Sequence, residues 1–136
     1  MKILAIDYGT KKIGLAVSDK KGIIAFPFGV VENNPGLIER LKKIIKKEKI
    51  KKIVVGAPRY NPKTNFYYQI EIFLNNLKAN FDLPIETHDE LLTSKAAQKI
   101  KSDSTGKVKS DHDLAAMLIL QAYLEINSRK KLAVKI

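Results

Sequence analysis

The chain has no cysteine among its 136 residues. Disulfides and thiolate-held metals are therefore excluded, and a cytoplasmic location is the simplest reading. Nor is there an apolar run approaching the roughly 18 residues of a membrane span. The N-terminus lacks the apolar segment and small-residue cleavage site of a signal peptide, so no membrane partner is expected. Internal repeats and low-complexity linkers are absent too, and the length favours one domain over residues 1–136 with a single core. Acids are scarce: 14 Asp and Glu stand against 25 Lys and Arg, a net charge of +11. Such an excess suits a polyanion, most often nucleic acid. A lysine-rich solvated surface accounts for the charge equally well.

What is present is patterned. Residues 2–7 and 12–18 read as strands joined by a turn at Tyr8 to Lys11, and Ile23 to Val31 reads as a third. Pro27 marks that third strand as an edge or an interruption. Short connections make the three an antiparallel meander. Leu37, Leu41, Ile44 and Ile45 then recur at helical spacing, with Pro35 where the helix would begin. Ile53 to Val55 is a buried strand stopped by Gly56 and Pro58. Phe66, Ile70, Phe73, Leu74 and Leu77 give a second amphipathic helix, and "LPIETHDE" a strand ending in Asp89 and Glu90. A helix is expected from about Thr93 to Lys101, then a polar loop over 102–110. The last helix, from about Asp111 to Asn127, is nearly apolar all round and should be largely buried. The basic tail "SRKKLAVKI" has no evident place. The order β-β-β-α-β-α-β-α-α predicts an α/β fold, a mixed sheet with helices on its faces.

The few acids fall at element ends. Asp7 ends the first strand, with Gly9 beyond it; Asp89 and Glu90 end the strand after the second crossover; Asp111 and Asp113 begin the final helix. Each has an ordinary explanation: a turn in which Gly9 supplies positive φ, or helix N-capping. Together they suggest more, because ligands bind at the carboxyl ends of parallel strands in open α/β sheets. Clustered carboxylates repel unless a cation is bound. Hard oxygen donors without cysteine point to Mg²⁺ or Mn²⁺, and on a basic protein such a site suggests phosphodiester chemistry.

"IDYGTKKIGLAVSD", "IVVGAP", "THDELLTS" and "DLAAMLILQAYLE" resemble, in that order, the motifs of the YqgF/RuvX family. Its members are described as Holliday junction resolvases and as nucleases that process the precursor of small-subunit ribosomal RNA. The resemblance covers nearly the whole chain. It implies a ribonuclease H-like fold, with a five-stranded mixed sheet of three antiparallel strands followed by parallel ones, and helices on both faces. It also implies a metal-binding acid cluster. Asp7 matches the first-strand catalytic aspartate; Gly9, Thr10, Gly14 and Asp19 match the rest of that motif; Gly56 and Pro58 match a Gly-x-Pro. Asp89 and Glu90 match an Asp-Glu pair of which Glu90 is the metal ligand, and Thr93 and Ser94 match a following hydroxyl pair. Three positions depart from the pattern. Leu91 replaces an arginine, and "RYNPKTN" replaces an Asp-Gly turn, with Arg59 and Lys63 as candidate phosphate contacts. Ungapped counting puts His112 where the last carboxylate belongs, so Asp113, then Asp111, is favoured. The implied catalytic set is Asp7, Glu90, Asp113 and Asp111, with Asp7, Glu90 and Asp113 holding metal. Thr10, Lys11, Lys12, Arg59, Lys63 and Thr93 are candidate nucleic-acid contacts.

His88 reads as a locally bonded strand residue rather than a general base. Tyr60, Tyr67 and Tyr68 could stack on unpaired bases, though half-buried helix positions are the commoner role. The lysine face of residues 42–52 is a phosphate track only if it adjoins the acids. Two rivals to a metal-dependent endonuclease remain. One is a non-catalytic nucleic-acid binder in ribosome biogenesis. The other is an actin- or sugar-kinase-type nucleotide domain, which needs a second Asp-x-Gly-Thr motif that this chain lacks.

Overall fold

The computed structural model describes residues 1–57, 65–89 and 111–134. Three strands come first: β1 (Ile3–Asp7), β2 (Lys12–Ser18) and β3 (Ala25–Glu32). Helix α1 (Leu37–Glu48) leads to β4 (Lys52–Ala57), helix α2 (Asn65–Asn80) to β5 (Ile85–Asp89), and helix α3 (Asp111–Val134) follows. The sheet order is β3-β2-β1-β4-β5. The first three strands pair antiparallel, and β1, β4 and β5 run parallel. This is the expected meander followed by parallel strands.

Strand alternation divides the core. Leu4, Ile6, Ile13, Leu15, Ile53 and Val55 point to one face, where Leu37 and Leu41 of α1 and Ile70, Phe73, Leu74 and Leu77 of α2 cover them. Ile3, Ala5, Ala16 and Val54 point to the other, against Ala116, Ile119, Leu120, Tyr123 and Leu124 of α3. Helices thus lie on both faces. The small residues on the second face let α3 come close to the sheet, and the same alternation sends Asp7 to that face.

Several sequence expectations need correction. Strand β3 starts at Ala25 rather than Ile23, because Asp19 Oδ1 accepts the Ile23 and Ile24 N–H groups (2.7 and 3.0 Å) and holds both in the turn. Those N–H groups, Ile24 first, hold the Asp19 carboxyl below its usual value. Pro27 does lie on an edge strand, and the β2–β3 register shifts opposite it, between Leu15 and Ala16. Helix α1 begins at Leu37 behind Gly36, not at Pro35. Gly56 does not stop β4 but lies inside it, paired with Asp7 and His88. Helix α3 extends to Val134 and takes in most of the basic tail. Leu114 to Leu124 are buried or half-buried, as expected, with Ala116, Ile119, Leu120, Tyr123 and Leu124 facing the sheet, whereas Glu125 and Ile126 are exposed. The helix expected near Thr93–Lys101 and the 102–110 loop lie outside the described residues.

Candidate active site

The chain leaves β1 toward β2 on one side, whereas β4 leads through α2 to β5 on the other. The carboxyl end of β1 beside β4 is therefore a switch point, where an open sheet leaves a crevice for ligands. Asp7 is the last residue of β1 and lies at that point. It is only 8% exposed, and its Oδ1 is shielded from solvent. Burying a carboxylate is costly, so an ordinary turn role explains its placement poorly.

Glycines flank Asp7 on both sides. Its antiparallel partner is Gly14 on β2 and its parallel partner is Gly56 on β4. A Cβ on Gly14 would overlap the His112 carbonyl and come within 3.0 Å of the Asp113 nitrogen. The first turn of α3 thus rests on the strand position directly beside Asp7. A Cβ on Gly56 would overlap the Ile119 side chain two turns further along the same helix. The two bare positions dock α3 across the row that holds Asp7. A glycine in an otherwise apolar strand signals such close approach, so Gly14 was legible in this sense. Gly9 serves differently than expected. It has no positive φ, but a Cβ there would overlap the Lys12 carbonyl, so its lack of a side chain permits a tight turn.

The docking brings Asp113 to the site. It is half-buried in the first turn of α3, and its Oδ1 accepts the Leu114 N–H (3.0 Å). His112 is exposed. Asp111 opens the helix, but its side chain lies outside the described residues. On the other side of Gly56, His88 continues the Asp7 row and Asp89 lies one position beyond, opposite Ala57. Glu90, Leu91, Thr93, Ser94, Arg59, Lys63 and Tyr60 all lie outside the described residues, and so does the Tyr67 side chain. Thr10 and Lys11 are exposed on the turn just after Asp7, Lys12 is exposed at the start of β2, and Tyr68 is exposed on α2.

A polar network supports the row from below, which sequence reading missed. Tyr123 of α3 donates its hydroxyl to Glu86 Oε2 (2.7 Å) and meets the His88 ring edge-on at 6.2 Å. Lys52 pairs with Glu86 Oε1 (2.9 Å), and its Nζ lies 5.0 Å from the Tyr123 ring centroid. Burial alone would lower the Lys52 ammonium, but Tyr123 and Glu86 outweigh it and raise it above the usual 10.5. Lys52 is therefore charged at neutral pH. These residues come from three elements with no local sequence signature.

Among the described residues no three His, Asp or Glu side chains come together as a metal site. Asp7 and Asp113 nevertheless supply hard oxygen donors only, which fit a divalent cation of the Mg²⁺ kind. The other acids expected at the site, Glu90 and the side chains of Asp89 and Asp111, lie outside the described residues.

The RuvX family model, described as Holliday junction resolvase, matches residues 1–126. A Maridesulfovibrio salexigens protein named "Putative pre-16S rRNA nuclease" is 38% identical over 132 residues, covering 91% of this chain and 98% of its own. A Thermoanaerobacter pseudethanolicus protein of the same name is 37% identical over 142 residues, covering 96% and 100%. Thermus thermophilus RuvC in complex with Holliday junction substrate aligns with a TM-score of 0.64 at 16% identity, over 94% of this chain and 96% of that one. At that identity the likeness is one of fold, the ribonuclease H-like fold of RuvC-type resolvases. The match over residues 1–126 and the close relatives agree on one placement: the chain belongs to the RuvX family.

Proposed function

We propose that this chain is a metal-dependent endonuclease that hydrolyses phosphodiester bonds in structured nucleic acid. The observation that carries the reading is the buried Asp7 carboxylate at the switch point, beside the glycine on which the Asp113 turn rests. Asp7 and Asp113 are the described residues that would hold the cation, with Glu90 the proposed third donor and Asp111 in reserve. Mg²⁺ or Mn²⁺ is the ion proposed. When bound, it supplies Lewis acidity at the scissile phosphate and favours attack by water. The rigid end of β1 fixes the Asp7 carboxylate, and the docked first turn of α3 fixes Asp113. Thr10, Lys11 and Lys12 bind flanking phosphates, with Arg59, Lys63 and Thr93 proposed beside them. The names of close relatives support a ribosomal RNA precursor as substrate, and the family description supports a four-way DNA junction.

The test is cleavage of both substrates by the purified protein, with and without Mn²⁺, beside Asp7→Asn. Cleavage that stops with chelator, returns with Mn²⁺ and falls by orders of magnitude in Asp7→Asn supports the reading. Substrate binding without cleavage under any metal would instead favour a non-catalytic factor. The kinase-type reading draws no support from the family match.

A further inference from the structure

The turn after Asp7 is gripped from outside its own hairpin. Asn33, just past β3, donates its side-chain Nδ2 to the Gly9 carbonyl (2.8 Å). Its backbone N–H donates to the Lys11 carbonyl (2.9 Å). The two bonds hold the turn on either side of Thr10. The segment carrying Asn33 is tied in turn to α1. Arg40 Nη2 donates to the Glu32 carbonyl (2.6 Å) and to Asn34 Oδ1 (2.7 Å), and Asn34 Oδ1 also accepts the Gly36 N–H (3.1 Å). Arg40 of α1 thus fastens the residues on either side of Asn33, and Asn33 fastens the Gly9 and Lys11 carbonyls of the turn that carries exposed Thr10 and Lys11 and leads into Lys12.

Such a grip matters for binding. A loose basic turn must lose backbone freedom when its lysines meet a phosphate, and that loss is subtracted from affinity. A turn already held presents the same cations without it. We propose that Asn33 is a positioning residue for the substrate: by clamping the Gly9–Lys11 turn, it holds Lys11 and Lys12 where they engage a phosphate flanking the bond bound at Asp7. The inference rests on the nuclease reading above for its substrate. Asn33 itself touches no acid of the site in the bonds described, so it acts through the turn.

The experiment measures affinity for the four-way junction and the RNA precursor across a salt series, in the Asp7→Asn background so that no cleavage intervenes. Asn33→Ala, the double change Lys11→Ala with Lys12→Ala, and all three together are compared. Asn33→Ala is expected to weaken binding roughly two- to tenfold and to make the salt slope shallower by about one. It should add nothing once both lysines are gone. Asn33→Asp, which keeps the shape but loses the side-chain donor, should match or exceed it. In the cleaving protein, KM should rise while kcat holds. Two results would overturn the proposal. One is a lowered thermal midpoint with wild-type affinity and salt slope, the mark of a purely structural fastening. The other is full additivity with the lysine changes. If the protein binds but does not cleave, the nuclease reading falls while this cycle still decides the clamp. If it binds neither substrate, both fall.

Discussion

Asp7 places a carboxyl group in a buried position at a strand end, which stability alone does not favour. Asn in its place keeps the shape and removes the charge. The thermal midpoint of Asp7→Asn is therefore expected within about 5 °C of the wild type, and relief of repulsion among the acids acts in its favour. Asp113 and Asp111 are separated by the same logic. Asp113 lies in the turn seated on Gly14, so Asp113→Asn should cut the cleavage rate by orders of magnitude and Asp111→Asn by much less. Rates for the two variants on one substrate in Mn²⁺ decide it; equal or reversed effects would move the last donor to Asp111. Asp7 was readable from the sequence, because a lone acid at the end of an apolar strand is a local pattern. Which acid of the last helix lies beside it was not, since one-residue helix phase depends on where α3 docks.

At the scale of elements, α3 is positioned by two missing side chains. At Gly14 the obstacle to a Cβ is helix backbone, which cannot yield; at Gly56 it is the end of Ile119, which can rotate. Gly14→Ala should therefore destabilise by about 1–3 kcal/mol and lose more activity than Gly56→Ala, because the Asp113 turn is displaced. Thermal unfolding and cleavage rates measured on both variants check the order. The turn before β3 offers a pH test. Asp19 accepts the Ile23 and Ile24 N–H groups, which depress its carboxyl below 3.8. A depressed acid contributes stability above its unfolded value and loses it as pH falls through the folded one. The midpoint difference between wild type and Asp19→Asn should thus be present near neutral pH and vanish in acid below that value. Helix and strand identities were legible from their periods. The reach of β4 through Gly56 was not, because glycine stops a strand in isolation yet is required where a helix side chain presses in.

For the whole molecule, the +11 charge predicts salt-sensitive binding. Each phosphate contact contributes about −0.9 to the slope of log K against log salt on duplex and about −0.7 on single strands. Five such contacts give a slope of roughly −4. Asp7→Asn should keep that slope, since lysines rather than the acids supply it. A flat salt response from filter binding or anisotropy would remove the phosphate-tracking surface. No helix among the described residues is long and apolar enough to cross a membrane.

Local chemistry was enough to write the meander, the parallel strands, the amphipathic faces and the basic character from the sequence, because each is set by spacing within a dozen residues. That Asp7 and Asp113 stand at element ends was legible in the same way; which acid of α3 is seated on Gly14 was not. Only the tertiary structure decided which residues meet. The Gly14 contact joins positions 14 and 112, the Asn33 clamp joins 33 and 9, and Tyr123 joins α3 to Glu86. Contacts of that range depend on how closely helices pack on the sheet and in which phase. That is fixed by side-chain volume across elements, such as the bare glycines under α3, and no local pattern carries it.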